Sequence, residues 1–441
     1  MQGYLDVDMH NHTTGSDGKQ SPLLFLLRAS NRGKDTVSMS DHDSVKGYTQ
    51  LKKQVEDYLT YYNNIENDPN MTLEQKAKAK LGGKRLLELL MKIKLLPAAE
   101  LITAYEGSTI EILGYGVDPE KLESEIKRIH EGLPTPGELL VQGVNRIIEE
   151  NGLDVDRYII DNRANFKRLF FHELLRHPEN ANWVSNIPGD TEEERAENFS
   201  KMYLENPESP LYVDMTVEGD RTTKMVRADF LKMIDANKDR FSFDPQVIEM
   251  SHQVSGEFFN EVLKDPKAKA LLLDKGVSNL KQFLYGELYN KKSPFYIDLS
   301  KAKPSREATI EAIHNSGGKA FLAHPGRYAK LFNVKEALEQ GDILEGLDGI
   351  EVYYPIHDFE MENFLISVCR QRGLLASGGS DDHKAPVDGP EYKIGSVNIP
   401  DIPETAWIKS MMQTGHDFLT SEKGLASQVK RLKSYQGDEE R

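Results

Sequence analysis

The sequence predicts an α/β fold with parallel strands and a large helical insertion. Strand-like runs alternate with helical patterns in two parts of the chain, about residues 1–120 and 301–425. The stretch between them, about residues 121–300, is helical in pattern with short polar breaks. Several of the strand-like runs end in histidine or carboxylate residues. Because sites in parallel α/β folds lie at the carboxyl ends of strands, these ends predict one shared site.

Length and charge restrict the class of protein. A chain of 441 residues is longer than one hydrophobic core usually supports, so we expect two domains or one domain with a large insertion. Its 55 basic and 71 acidic residues leave a net charge of −16, which disfavours sequence-independent binding of long nucleic acid. A short phosphorylated ligand remains compatible with this charge because a bound cation reverses the local sign.

Cysteine content and hydropathy bear on the compartment. Cys369 is the single cysteine, which excludes an intramolecular disulfide and fits a reducing compartment. No apolar run approaches the roughly 18 residues of a membrane span, and the first residues lack the order of a signal peptide. We therefore predict a cytoplasmic protein without a membrane partner. The oligomeric state stays open.

The first strand–helix–strand unit lies near the start of the sequence. Residues 4–8 alternate as a strand does, and His10 and His12 follow them. Two residues that are two positions apart project from the same side of an extended segment, so both imidazoles can reach one ion. Ser21 caps a helix that ends at Gly33, and a second strand then runs into His42.

A helical excursion and a hairpin come next. Residues from about 45 to 97 have a helical pattern, with predicted breaks near Asp68-Pro69 and Gly82-Gly83. Two strand-like runs, 100–106 and 109–115, then predict a hairpin about Gly107. The hairpin would bring Glu106 and Glu111 close together across the turn.

The alternation of strands and helices resumes after the helical insertion. A buried-type strand at 319–323 ends in His324, and a further strand covers 347–354. The last strand, 374–377, leads into Asp381 and His383. The second half of the fold therefore repeats the pattern of the first half, with ligand-type residues directly after the strands.

The polar strand ends together resemble a metal centre. Imidazoles and carboxylates without a thiolate suit Zn²⁺, Mn²⁺ or Fe²⁺, with Mg²⁺ as a further candidate. Eight such residues are too many for one ion, so we expect two or three divalent ions. The alternative, that these residues only cap strands, accounts for one cluster but poorly for five. The candidate ligands are His10, His12, Asp17, His42, Glu106, His324, Asp381 and His383, with Asp41 and Glu111 adjacent.

The motifs around these residues resemble the polymerase-and-histidinol-phosphatase (PHP) superfamily of metal-dependent phosphoesterases. They occur in the order typical of that family and cover roughly residues 3–118 and 303–400. The resemblance implies a distorted (β/α)₇ barrel with a two- or three-metal site at the carboxyl ends of its strands. The motifs are Asp8-x-His10-x-His12-Thr13, Ser16-Asp17-Gly18, Ser40-Asp41-His42-Asp43, Glu106-x-Ser108, Leu113-Gly114-Tyr115, Ala323-His324-Pro325 and Gly379-Ser380-Asp381-x-His383.

The same resemblance implies a role for each candidate ligand. Glu106 would bridge two ions, the second of them also held by His324, and Asp41 would orient His42. Many relatives carry a histidine just before Leu-Gly-Tyr where this chain has Glu111, so a carboxylate replaces that ligand or the site is altered. The remaining ligands form two sets: His10, His12 and Asp381 with Glu106 for one ion, and Asp17, His42 and His383 for the rest of the cluster.

The function expected from this resemblance is phosphoester hydrolysis. A metal-activated hydroxide would attack phosphorus in line, and a protonated His324 or Asp17 would assist the leaving oxygen. The substrate would be a small phosphorylated metabolite or nucleotide, with Arg163 and Arg168 of the helical insertion as candidate phosphate contacts. The alternatives are a 5′–3′ exonuclease or phosphodiesterase acting on short oligonucleotides, and a non-catalytic, metal-stabilised binding module.

Overall fold

The structure is a computed structural model that describes most of the chain. The described residues are 3–134, 180–214, 232–241, 266–384, 392–414, 416–422 and 424–437, together with residues 139–140, 142–143, 146–147, 150, 170–171, 174–175, 177, 229, 259 and 263.

The secondary structure alternates strands and helices at both ends of the chain, and its elements are numbered here among the described residues. The strands are β1 (Tyr4–Leu5), β2 (Val7–Asp8), β3 (Thr36–Met39), β4 (Lys94–Tyr105), β5 (Ser108–Tyr115), β6 (Lys319–Leu322), β7 (Gly349–Tyr353), β8 (Leu375–Gly378) and β9 (Ile399–Pro400). The helices are α1 (Pro22–Asn31), α2 (Lys46–Asn67), α3 (Leu73–Lys92), α4 (Pro119–His130), α5 (Ala181–Val184), α6 (Glu192–Phe199), α7 (Pro266–Asp274), α8 (Leu280–Phe283), α9 (Arg306–Asn315), α10 (Val334–Gln340), α11 (Phe359–Arg372), α12 (Trp407–Gln413) and α13 (Ala426–Gly437).

Seven strands form one sheet in the order β2-β3-β4-β5-β6-β7-β8. β5 is antiparallel to both of its neighbours, and the other neighbouring pairs are parallel. The two ends of the sheet meet beyond β2 and β8, where Met9 N donates to Gly378 O (3.2 Å) and Asp381 N donates to His10 O (2.9 Å). The sheet is therefore almost closed, and the predicted distorted (β/α)₇ barrel is confirmed.

The barrel encloses a continuous apolar core. Met9, Val37, Leu95, Ile112 and Phe321 are all fully buried within it. β-branched, aliphatic and aromatic side chains on both faces of the strands are expected where helices cover a largely parallel sheet. The polar strand ends therefore lie directly on this buried apolar core.

Helices α2 and α3 account for the predicted helical excursion. The predicted break at Asp68-Pro69 is confirmed, because α2 ends at Asn67. The predicted break at Gly82-Gly83 is wrong, since α3 runs through both glycines. A Cβ atom on Gly82 would lie 2.2 Å from the Tyr58 hydroxyl of α2. The glycines therefore allow the two helices to approach closely and do not end a helix.

The predicted hairpin about Gly107 is confirmed, and its length decides where the acidic residues lie. Tyr105 pairs with Ser108, and both turn residues have positive φ angles, 46° at Glu106 and 67° at Gly107, as a two-residue hairpin loop requires. The start of β4 pairs with β3 only as far as Pro97. The rest of the hairpin extends past the carboxyl end of β3.

The chain divides into two compact units, Met1–Gly132 with Lys303–Arg441, and Leu133–Ala302. The first unit contains the barrel. The second unit has two apolar clusters of its own, one around Phe283 and Phe295 and the other around Phe170 and Phe199. Among the described residues, no helix combines the length and apolar character needed to cross a membrane.

Candidate metal centre

Closure of the barrel brings the first and last ligand-type residues together. His10 and His12 follow β2 in extended backbone, and both are fully buried. His12 N donates to Asp382 O at 3.1 Å, so the segment after β2 lies alongside the segment after β8. Asp381 has a positive φ angle of 54°, a conformation that is rare for residues other than glycine.

The first ligand group consists of His10, His12, Glu100 and Asp381, all of them buried. The Nε2 atoms of His10 and His12 are 3.2 Å apart. Oε2 of Glu100 lies 3.2 Å from His10 Nε2 and 3.3 Å from His12 Nε2. Oδ1 of Asp381 lies 3.1 Å from His12 Nε2 and 3.5 Å from His10 Nε2. Four potential ligand atoms therefore face one point.

The geometry of the first group fits a metal ion. Two ligand atoms that share a tetrahedral ion at about 2.0–2.1 Å lie about 3.4 Å apart, which is the spacing found here. Among the described residues, Glu100 Oε2 and Asp381 Oδ1 are buried without a hydrogen-bond partner. Buried polar atoms are rarely left unpaired, so these oxygens match the donors that a cation requires.

The second ligand group joins Glu100 to His324 and Glu111. The other carboxylate oxygen of Glu100, Oε1, lies 2.9 Å from His324 Nε2. Glu111 Oε2 lies 3.2 Å from the same nitrogen. Glu100 therefore presents one oxygen to each of two groups, as a carboxylate that bridges two ions does. Glu111, the alternative ligand of the sequence prediction, lies at this position.

The third ligand group, His12, Asp17, His42 and His383, lies nearer the surface. Asp17 Oδ1 is 3.4 Å from His383 Nε2, and Asp17 Oδ2 is 4.0 Å from His42 Nε2. His12 Nδ1 is 3.8 Å from Asp17 Oδ1. The side chain of Asp17 is 57% exposed, so this group is the one that faces solvent. His12 connects it to the first group.

Glu100, and not the predicted Glu106, lies between the first and second ligand groups. Glu106 is exposed in the hairpin turn, outside the three ligand groups. The sequence prediction placed the ligand at the last residue of the strand-like run, but β4 continues past the barrel rim. Glu100 is therefore the residue level with the other strand ends, where it pairs with His42 in a parallel bridge.

Glu351 is a site residue that the sequence prediction missed. Its Oε1 accepts a hydrogen bond from His10 Nδ1 at 2.9 Å, and its Oε2 accepts one from the backbone N of His324 at 2.8 Å. The first bond leaves Nε2 of His10 free to act as a ligand. The signal in the sequence was a lone carboxylate in the otherwise apolar β7.

Asp41 has a different role from the one predicted. Its carboxylate accepts hydrogen bonds from Thr13 N at 2.7 Å, Thr13 Oγ1 at 2.8 Å and Ser16 Oγ at 3.0 Å. It therefore holds the loop that carries Asp17, whereas the prediction was that it orients His42. Neighbouring residues of an extended segment point to opposite sides, which explains why the two side chains separate.

Two further residues missed by the sequence prediction hold Asp381. Tyr354 Oη donates to Asp381 Oδ2 at 2.7 Å, and Arg327 Nη1 lies 3.2 Å from the same oxygen. The remaining oxygen, Oδ1, faces the first group. The Arg327 side chain is 47% exposed and is the nearest arginine to the ligand oxygens among the contacts of the described residues. Its position, three residues after His324, was the available signal.

Charge pairing dominates the electrostatics of the site. Burial lowers the pKa of His12, but contacts with the carboxylates of Asp381 and Glu100 outweigh it and raise this pKa to about 10. The pKa of His10 is also raised well above its ordinary value by Glu100, Glu351 and Asp381. Burial raises the pKa of Glu100, yet His10 and His42 lower it overall. The site therefore attracts positive charge, whether protons or metal ions.

The two candidate proton donors both lie in ligand groups. Burial raises the pKa of Asp17, but His383, His42 and His12 bring it well below the ordinary value, so this carboxylate is ionised at neutral pH. Nε2 of His324 faces Glu100 and Glu111. The proton-donor roles stay predictions. Arg163 and Arg168, the candidate phosphate contacts, lie outside the described residues.

Comparison with characterised proteins agrees with this site. Over 137 residues the chain is 31% identical to a 3′,5′-nucleoside bisphosphate phosphatase from Chromobacterium violaceum, a match that covers 31% of this chain and 47% of that protein. This match and the ligand groups agree with the resemblance to PHP-like metal-dependent phosphoesterases.

Other similarities are shorter or weaker. The chain is 38% identical over 78 residues to the 5′–3′ exoribonuclease Rnm of Escherichia coli, a match that covers 18% of this chain and 27% of that protein. The chain thus matches less than half the length of these curated relatives. A solved amidohydrolase from Chromobacterium violaceum with bound sulfate aligns over 92% of this chain and 96% of its own, with 18% identity and a TM-score of 0.43. No family model matches the chain.

Proposed function

We propose that this PHP-like protein is a metal-dependent phosphoesterase that hydrolyses a small phosphorylated metabolite or nucleotide. The observation that carries the proposal is the carboxylate of Glu100, which presents Oε2 to the first ligand group and Oε1 to the second. A carboxylate in this position would hold two ions close together, where both would stabilise charge on one phosphoryl group. The name of the bisphosphate phosphatase relative supports the same reaction class.

The donor set supports two or three divalent ions. Imidazole and carboxylate donors suit Mn²⁺, Zn²⁺ or Fe²⁺, and Mg²⁺ is a weaker candidate because of the imidazoles. When bound, such ions would lower the pKa of a water molecule and neutralise charge on the phosphoryl oxygens. The chain's own contribution is to hold the ligands rigidly on buried strand ends.

Arg327 is the protein group best placed to meet a substrate phosphate. Its guanidinium is half-exposed beside Asp381, and burial, which lowers its pKa, is outweighed by Tyr354, Glu111 and Asp381, so the group stays charged. An arginine can donate two parallel hydrogen bonds to a phosphate. We therefore assign Arg327 a role in orienting the phosphoryl group next to the first ligand group.

A second candidate function is 5′–3′ exonuclease activity on short oligonucleotides, which the similarity to Rnm favours. The net charge of −16 opposes binding of long strands and supports a substrate of one or a few nucleotides. The single cysteine, Cys369, is buried and free, which supports the proposal of a cytoplasmic location.

The test is an assay of metal-free protein reconstituted separately with Mn²⁺, Zn²⁺, Fe²⁺ and Mg²⁺. The substrates are a nucleoside monophosphate, a nucleoside 3′,5′-bisphosphate, a sugar phosphate and a 5′-phosphorylated tetranucleotide. We expect phosphate release from at least one monoester. Turnover of the tetranucleotide alone would favour the exonuclease, and full metal occupancy without turnover of any substrate would leave the binding module as the function.

A further inference from the structure

The three ligand groups differ in the chemistry of their donors. The first group offers two imidazoles and two carboxylates, and the third offers three imidazoles and one carboxylate. The second group offers one imidazole, from His324, between the carboxylates of Glu100 and Glu111, and His42 of the third group also lies near both carboxylates. Carboxylates therefore make up the smallest share of the donors in the exposed third group and the largest share in the second group.

The position of Glu111 is fixed by the barrel itself. Its backbone N donates to Tyr328 Oη at 2.8 Å, and its backbone O accepts from Ala323 N at 3.0 Å. On the other side Glu111 pairs with Ile102 of β4. These contacts hold the residue in place, and its side chain, 21% exposed, reaches His324.

We propose that, of the three ligand groups, the second has the smallest preference for Zn²⁺ over Mn²⁺. Mn²⁺ bound to this group should therefore be the hardest to replace with Zn²⁺. Carboxylate oxygens suit Mn²⁺ and Mg²⁺, whereas imidazole favours Zn²⁺. Zn²⁺ binds more tightly than Mn²⁺ at most sites of this kind, so the preference takes the form of a smaller Zn²⁺ advantage. The inference rests on the metal binding in the proposed function and is independent of the hydrolysis.

The experiment is a competition between the two ions. Metal-free protein is loaded with Mn²⁺, and Zn²⁺ is added stepwise while bound Mn²⁺ is followed by electron paramagnetic resonance and total metal content. We expect one Mn²⁺ to be displaced last. Crystals at that point should show manganese anomalous scattering between Glu100, Glu111 and His324.

A matched pair of variants tests the role of Glu111. Glu111→His replaces the carboxylate by imidazole, and we expect the Zn²⁺ concentration that removes the last Mn²⁺ to fall at least about tenfold. Glu106→His makes the same change on the same hairpin, outside the ligand groups, and should leave that concentration unchanged.

Two results would overturn the inference without touching the proposed function: retention of the last Mn²⁺ in the first or third group, or an unchanged Zn²⁺ requirement in Glu111→His. The competition in the unmodified protein decides the question even if Glu111→His does not fold. Failure to bind any divalent ion would overturn both this inference and the proposed function.

Discussion

Oε1 of Glu100 lies 2.9 Å from Nε2 of His324, although 224 residues separate them in sequence. The contact joins β4 to the end of β6. The second carboxylate oxygen of Glu100, Oε2, faces the histidines that follow β2. One side chain thus connects ligands from three parts of the barrel. The central place of Glu100 leads to the first prediction.

Replacing Glu100 should impair metal binding far more than replacing Glu106. Glu100→Gln removes the charge that two ligand groups share, and we expect metal affinity to fall by about 10–100-fold or more, with a corresponding loss of phosphatase activity. Glu106→Gln changes an exposed turn residue and should bind metal normally. Metal content after dialysis, measured with circular dichroism to confirm folding, compares them. A larger loss in Glu106→Gln would restore the ligand set predicted from the sequence.

Asp41 should affect the third ligand group selectively. Asp41→Ala removes the acceptor for Thr13 and Ser16, so the loop that carries Asp17 should loosen and one ion should be lost. The two buried donors that lose their acceptor, Thr13 N and Thr13 Oγ1, should each lower the folding stability by about 1–3 kcal/mol. Asp41→Asn keeps one acceptor oxygen and should retain more metal than Asp41→Ala. Metal stoichiometry and urea unfolding test this, and equal loss of all ions in Asp41→Ala would argue against a local role.

Glu351 should act through His10 and His324 rather than on the substrate. Glu351→Gln keeps the shape of the side chain but weakens the hydrogen bonds to His10 Nδ1 and His324 N. We expect metal affinity to fall about 10–100-fold, while activity at saturating metal stays near that of the unmodified protein. Titration calorimetry and steady-state kinetics at two metal concentrations separate these quantities. A loss of activity that excess metal does not restore would instead indicate contact with the substrate.

The stability of the metal-free protein should depend on pH in a predictable direction. The pKa of His12 is raised from 6.5 to about 10, so the stability it contributes is complete below pH 6.5 and is lost as the pH rises toward 10. Asp381 has a lowered pKa, so its contribution is present above its ordinary pKa of 3.8 and is lost as the pH falls below it. Stability should therefore be highest between these limits.

Thermal unfolding at several pH values, with a chelator or with Mn²⁺, tests this expectation. Between pH 6.5 and 9 the melting temperature should fall in the chelated protein. With Mn²⁺ it should fall less or rise, because protons no longer compete for the ligands. A melting temperature that rises with pH in the chelated protein would show that the histidines are neutral there.

The fold and most ligands could be predicted from the sequence because they depend on local patterns. Strand ends followed by His10, His12, His42, His324 or His383 mark a common rim without any knowledge of distant contacts. Glu106 was misplaced because the length of β4 is set by its pairing with β5 beyond the rim, and the strand-like pattern itself contains two acidic residues. The sequence pattern predicts where a strand lies, but it does not show which residue of that strand is level with the end of the neighbouring strand.

Two other errors have related causes. Asp41 adjoins His42 in sequence, but its partners lie in the loop after β2, a contact that only the tertiary fold creates. Gly82 and Gly83 have the composition of a helix break, but their function is to accommodate tyrosines of the neighbouring helix. Glu351 carried a readable signal, since an ionisable residue in a buried strand needs a partner.

Closure of the barrel also sets the order of events during synthesis. Ser380 N donates to Oδ1 of Asp8 across 372 residues, so the two edges of the sheet can join only after β8 has left the ribosome. Until then His10 and His12 lack Asp381, and the edges of β2 and β8 are open to mispairing. A nascent chain therefore cannot assemble the complete first ligand group until the segment that carries Asp381 has emerged.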